Sequence, residues 1–254
     1  MEKAIIGYSG FVGGNISSQQ KFDLNFNSSN ILDIRGKELE LLVIAAPSAT
    51  KWKANQEPEA DWKMISELMD ILKEVKADQV IHISTVDVYK SPIGVTEDSL
   101  ILPDENQPYG KHRFYLEEFI RERFDQHLIA RLPGLFGQGL KKNFIFDMLN
   151  DNCLHLTHKD SVFQFYSLDN IWKDIQIALN NGLELVNFAT EPMSVCEVAR
   201  LCFDKDFETI TDNPPVCYDM KSAHAALYGG ANGYLYNKKQ IVTQLKTFAK
   251  NYAK

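Results

Sequence analysis

The sequence predicts an α/β fold, a doubly wound parallel sheet with a small C-terminal lobe. Three observations lead there. A short apolar segment at residues 3–6 runs straight into glycines spaced three apart and the start of a helix. Strand-like and helix-like patterns then alternate through the first half, as expected for parallel strands joined by right-handed crossovers. The chain ends in a stretch rich in aromatics and glycine, CYDMKSAHAALYGGANGYLYNKKQIV, of a different character from the first half.

With 254 residues, 44% hydrophobic and 24% charged, the chain can bury one large domain, or one domain plus a lobe. Its net charge of -7, without a dense Lys/Arg block, argues against nucleic acid or an anionic membrane as partner and favours a small molecule. The longest apolar run, LLVIAAP at 41–47, is far shorter than the roughly 20 residues that span a bilayer. Glycines interrupt the first dozen residues, so no secretory leader is expected. Cys153, Cys196, Cys202 and Cys217 form no C-x-x-C pair and are read as buried, reduced thiols of a cytoplasmic protein. His155 and His158 have no third ligand near them in sequence and are read as surface residues, so no metal site is expected.

The first strand, residues 3–6, meets Gly7-x-x-Gly10-x-x-Gly13, with Phe11, Val12 and Ile16 on the packed face of the helix that follows. Such glycines permit a tight turn, let a pyrophosphate approach the backbone and seat the helix close on the strand, while unpaired amides at the helix start attract negative charge. The spacing differs from G-x-G-x-x-G, and glycine triplets also form plain turns; the strand before and helix after favour nucleotide binding. FDLNF at 22–26 alternates as a second strand and ends in Asn27, Ser28, Ser29 and Asn30 rather than an acidic residue, which leaves NAD and NADP both open. LLVIAA at 41–46 is a buried strand reached after a short span, so the sheet is expected to lack a strand or helix there.

DWKMISELMDILKEV at 61–75 places Trp62, Ile65, Leu68, Ile71 and Leu72 at helical spacing, and DQVIHISTVDVY at 78–89 reads as the next strand. Ligands of such sheets bind beyond the carboxyl ends of the strands, where Thr85 falls. In QPYGKHRFYLEE, residues 107–118, Tyr109 and Arg113 share one side of a helix. A permanent cation beside a phenol is expected to pull its pKa down toward working pH; on a water-facing turn the same pair would be inert.

Four stretches in order, Gly7 to Gly13, ISTVDVY, PYGKHRFYLE and ARLPGLFGQG, together resemble the extended short-chain dehydrogenase/reductase family of nucleotide-sugar epimerases, dehydratases and reductases. VFQFYSLDNIWKDI at 162–175, with Asp169, and VNFATEPMSVCEVARL at 186–201, with Ser194 opening a helix, extend the resemblance over about four-fifths of the chain. It implies a Rossmann-type dinucleotide-binding domain at 1–137 to which 162–190 returns, and a small substrate-binding lobe formed by 138–161 and 191–254. It also implies NAD or NADP as cofactor, a nucleotide-linked or activated sugar as substrate, and a possible homodimer through the helices at 61–75 and 109–124.

Carried onto this chain, the resemblance puts Gly7, Gly10, Phe11, Val12 and Gly13 at the pyrophosphate, with Asn27, Ser28, Ala45, Ala46 and Pro133 lining the rest of the cofactor site. Thr85 becomes the hydroxyl that bonds the reacting sugar oxygen, and Tyr109 the phenol that exchanges its proton. Arg113 stands where the family has Lys, keeping the charge in a bulkier, planar group. Val86 occupies the first position of the acidic pair found in the dehydratases, leaving only Asp87, read either as a catalytic base or as a solvated strand-end residue, so reduction or epimerisation is expected rather than dehydration. A dinucleotide-binding sensor or scaffold, weakened in turnover through Arg113, is the alternative. The Gly229–Gly233 run reads as a turn.

Overall fold

The computed structural model describes residues 1–252. The chain runs β1 (Glu2–Ile6), α1 (Phe11–Gln19), β2 (Leu24–Phe26), β3 (Glu38–Ile44), α2 (Lys51–Gln56), α3 (Pro58–Leu72), β4 (Lys76–Thr85), α4 (Pro108–Arg123) and β5 (His127–Leu132). It continues with β6 (Gly134–Phe136), α5 (Phe144–Asn150), β7 (Val162–Phe163), β8 (Phe165–Ser167), α6 (Ile171–Asn180), β9 (Leu185–Asn187), β10 (Met193–Ser194), α7 (Val195–Phe203) and α8 (Lys238–Tyr252). Two compact units result. The first holds Met1–Lys90, Ser99–Arg131 and Ile171–Val186; the second holds Ser91–Asp98, Leu132–Asn170 and the chain from Asn187 onward. Relative to the expected division at 137 and return at 162–190, the chain leaves the first unit at the end of β5 and rejoins it at α6, because β6 and β8 pair with each other.

The first unit is a six-stranded parallel sheet in the order β2-β1-β3-β4-β5-β9. One turn of 3-10 helix, Ile31–Ile34, is all that separates β2 from β3, so a single short strand lies outside β1. That is the trimmed edge anticipated from the short span. Ala4, Leu42, Val80 and Ile65 meet in a core that also takes Leu68, Leu72 and, from α4, Leu116 and Ile120. Helix α3 has Pro58 in its first turn, where the missing amide hydrogen carries no penalty, and Glu59 and Asp61 near its positive end.

Two elements differ from expectation. Trp62 does not join the packed face of α3: it is 39% exposed and lies against the rings of His112 and Tyr115, while its neighbour Asp61 turns inward. Arg113 and His112 supply the partners that a buried carboxylate needs. The strand expected at 78–89 stops at Thr85, whose hydroxyl accepts the Asp87 amide and starts the 3-10 turn Val86–Val88.

Behind that turn lies a buried polar network. Arg131 of β5, 1% exposed, donates through Nε and Nη2 to Glu117 of α4 and through Nη1 to the Tyr89 hydroxyl at 2.7 Å. Ser84 donates to the same carboxylate, so strands β4 and β5 and helix α4 are joined by one ion pair and its hydrogen bonds. His82 lies fully buried on β4, and its burial drops the imidazole pKa from 6.5 to about 4, against the pull of the Glu117 charge. A base whose folded pKa is depressed binds fewer protons folded than unfolded, so stability is lost as pH falls from about 6.5 toward about 4. Unfolding free energies from denaturant titrations at pH 7 and pH 5 should differ by about 1 kcal/mol per pH unit, and a His82→Leu variant should lose that slope.

In the second unit β6 pairs parallel with β8, and β7 pairs antiparallel with β10. Ser194 opens α7 as expected: its hydroxyl accepts the Glu197 amide while the Glu197 carboxylate accepts the Ser194 amide. The Gly229–Gly233 run is a tight turn; a Cβ on Gly230 would lie 2.0 Å from the Tyr234 carbonyl oxygen. All four cysteines are free, and the expectation that they are buried is corrected for Cys153 and Cys217, which are exposed. Both lie outside the strands and α-helices, where no packed face covers a side chain. Among the described residues, no helix is long and apolar enough to cross a membrane.

Candidate active site

At the carboxyl edge of β1, Gly7 adopts φ +88, and a Cβ there would lie 2.4 Å from the Ala45 carbonyl oxygen. Gly13 is as constrained: its Cβ would lie 2.1 Å from the Gly7 carbonyl oxygen, which is how closely α1 sits on the turn. Gly10 is the exposed N-cap. No side chain caps this end of α1 and its first turn holds no acidic residue. The amides of a first turn have no intrahelical acceptors, so these residues fit an anion. Of the three residues expected on the packed face, Ile16 is buried, whereas Phe11 and Val12, in that turn, are half-buried and Gly13 and Asn15 are buried instead.

A paired substitution tests this. Gly13→Ala should weaken binding of the expected dinucleotide at least about tenfold and cost roughly 1–3 kcal/mol, because backbone must move to admit the methyl group. Gly14→Ala, whose Cβ meets nothing nearer than 3.4 Å, should be tolerated, gaining up to about 1 kcal/mol from helix propensity. Isothermal titration with NADPH and thermal melts distinguish the two.

At the end of β2, Asn27 accepts the Ser29 amide and hydroxyl, and Asn30 accepts the Asn27 amide, so the neutral residues form a self-bonded turn with Ser28 exposed. Asn27 also lies 3.4 Å from the Tyr8 hydroxyl. Ala45 and Ala46 follow β3 beside Gly7, and Pro133 lies buried between β5 and β6.

The segment after Ala46 runs from the glycine turn to helix α4. The Ser48 carbonyl accepts Arg113 Nη2 at 3.0 Å, and Asn55 of α2 accepts the Tyr109 amide at 3.0 Å. Tyr109 is 5% exposed, Thr85 lies close enough to its phenol to lower the pKa, and the Arg113 guanidinium lies over its ring, 3.9 Å from the centroid. Gly110 allows this approach: a Cβ there would lie 1.9 Å from the Asp87 carbonyl oxygen. Asn106 supports the same turn by donating to the Asp87 and Val88 carbonyls.

The electrostatics correct one expectation. Burial pushes the Tyr109 phenol above its ordinary value, and the charge of Arg113 offsets only part of this; Asp87 adds to the rise, while Thr85 and Lys51 oppose it. Desolvation outweighs the cation because Arg113 is not a free charge: Nη1 donates to Asp61 Oδ2 at 2.7 Å and to the Tyr109 carbonyl, and Asp61 also meets His112 Nδ1 at 2.8 Å. Lys111 points away, to Asp104.

Lys51, Asn55, Asp61 and Gly110 escaped the sequence reading. Lys51, at the start of α2, donates to Asp87 Oδ1 at 2.6 Å. Only Gly110 had a local signal, a glycine directly after Tyr109 in a helix. The others arrive from a segment about 50 residues away.

No protein-family model and no curated protein sequence matches the chain. Solved structures do. The dTDP-4-dehydrorhamnose reductase of Bacillus anthracis in complex with NADP superposes with a TM-score of 0.76 at 17% identity, covering 98% of each chain. UDP-glucose 4-epimerase of Thermotoga maritima, with UDP-glucose, gives 0.75 at 14% identity over 100% of this chain and 99% of its own. An NAD-dependent NDP-hexosamine 5,6-dehydratase involved in tunicamycin biosynthesis gives 0.77 at 15%, over 100% and 98%. The chain therefore shares the Rossmann-type fold of these structures.

Proposed function

We propose that this protein is an NAD(P)-dependent enzyme that reduces or epimerises a nucleotide-linked or otherwise activated sugar. One observation carries the reading: a buried Tyr109, with the Arg113 guanidinium over its ring and Thr85 close by, lies at the same sheet edge as an uncapped, glycine-lined helix start. The names of the structural neighbours, which act on dTDP- and UDP-linked sugars, supply the substrate class.

Gly7, Gly10, Phe11, Val12 and Gly13 would hold the dinucleotide pyrophosphate, with Ala45 and Ala46 beside it and Asn27 and Ser28 at the adenosine end. The neutral end of β2 suits either NAD or NADP. When bound, the dinucleotide supplies or accepts a hydride at the sugar carbon. Tyr109, protonated at neutral pH, donates its proton to the carbonyl oxygen of a keto sugar, and Thr85 holds that oxygen in line. Arg113 works from behind the ring, steadying the phenol and stabilising the negative charge that develops on it. Asp87 is the only carboxylate of the turn, which suits reduction or epimerisation.

The commitment of Arg113 to Asp61 and Ser48 favours a second reading, in which the dinucleotide binds but little is turned over and the protein acts as a sensor. Tryptophan fluorescence during titration with NADH and NADPH, followed by assays with dTDP-4-dehydrorhamnose, UDP-glucose and UDP-N-acetylglucosamine, separates the two. Cofactor binding with turnover that vanishes in Tyr109→Phe supports the enzyme. Binding without turnover supports the sensor, and absence of binding removes both.

A further inference from the structure

Neutral side chains at the end of β2 leave both dinucleotides open; the hydrogen bonds of the turn that follows do not. That turn lies directly beside the glycine turn, because the Gly7 amide donates to the Phe26 carbonyl at 2.7 Å. Where such a turn receives the ribose of NAD, an acidic side chain accepts from the ribose hydroxyl. Asn27 stands in that place with no acceptor to spare: its Oδ1 already takes the Ser29 amide at 2.9 Å and the Ser29 hydroxyl at 2.6 Å. Its Nδ2 donates to the Tyr8 hydroxyl at 3.4 Å, and its own amide donates to Asn30 Oδ1 at 2.8 Å. The nearest carboxylates in sequence, Asp23 and Asp33, lie before β2 and in the 3-10 turn beyond Asn30. Ser28 is exposed, and among the described residues neither its amide nor its hydroxyl has a partner. What the turn leaves open is therefore a pair of donors on one residue.

We infer that this protein prefers NADP(H) to NAD(H), and that Ser28 makes the choice by donating its amide and hydroxyl to the 2′-phosphate of the adenosine ribose. The inference rests on the dinucleotide reading of the glycine turn and adds cofactor selection to it. Hydrogen bonds to an ionised oxygen are about twice as strong as those between neutral groups, so the same two donors hold a phosphate better than a ribose hydroxyl. The choice is made without a cation: Arg35, the first one after the turn, is paired with Glu74. It is also made without repulsion, since no carboxylate ends the strand.

Isothermal titration with NADPH and with NADH, at one pH and one ionic strength, tests this, because the two differ only in that phosphate. NADPH should bind at least about tenfold more tightly. Ser28→Ala removes the hydroxyl and should bring the ratio of the two affinities down to about threefold or less, while Ser28→Thr, which keeps a hydroxyl, should preserve it. Ser28 is exposed, so neither change disturbs the core. A loosened turn would weaken both dinucleotides alike; only a lost phosphate contact changes their ratio. NADH bound as tightly as NADPH overturns the inference. So does a preference for NADPH that survives Ser28→Ala, or one lost equally in Ser28→Thr. Binding of neither dinucleotide by the unaltered protein removes the reading of the glycine turn, and the inference with it.

Discussion

For the proposed reaction, Tyr109→Phe is expected to lower turnover about 10²–10⁴-fold while leaving dinucleotide affinity unchanged. Phenylalanine keeps the ring on which Arg113 lies and removes only the phenol oxygen. The fold should lose no more than about 1 kcal/mol, the worth of one hydrogen bond. The pH dependence has a definite sign. Burial holds the phenol protonated beyond its ordinary range, so the reductive direction, which consumes a proton, should stay flat through neutrality and fall only at alkaline pH. The oxidative direction needs the phenolate and should rise with pH over the same interval. Steady-state rates measured in both directions check this; parallel profiles would remove Tyr109 as the proton donor.

Glu117→Leu is expected to destabilise the protein by about 3–5 kcal/mol, because it strands Arg131 as a buried charge without a counter-ion. It also takes the acceptor from Ser84. The double variant Glu117→Leu/Arg131→Met should recover most of the loss, since apolar residues of similar volume can replace a buried pair at little net cost. Urea unfolding of the two variants measures the difference directly. A loss below about 1 kcal/mol in the single variant would mean that Arg131 finds another partner or water. Because Glu117 and Tyr109 share α4, the single variant should also blur the placement of the phenol.

The strand and helix alternation, the trimmed sheet edge and the Ser194 cap were all legible, because each depends on neighbours within a few residues. Gly7 and Gly13 were legible as a turn, though the atoms that forbid a side chain there, the carbonyls of Ala45 and Gly7, were not. Trp62 was misjudged and Asp61 overlooked for one reason: helical spacing assigns the apolar residue inward, yet a buried Arg113 and His112 make the carboxylate the better inward group. The sign of the Tyr109 shift was misjudged similarly. Spacing along α4 revealed the cation, but not the burial that outweighs it.

The order of elements, the glycine turn and the Tyr109/Arg113 pairing on one helix face follow from the chain itself, since they arise from backbone geometry and short-range periodicity. Folding alone decided that Asp61 and Ser48 hold Arg113, that Lys51 reaches Asp87 and that the phenol is raised rather than lowered. Those outcomes depend on which distant segments meet and how much water they exclude. Desolvation and long-range charge are properties of a packed volume, and no local pattern of residues encodes them.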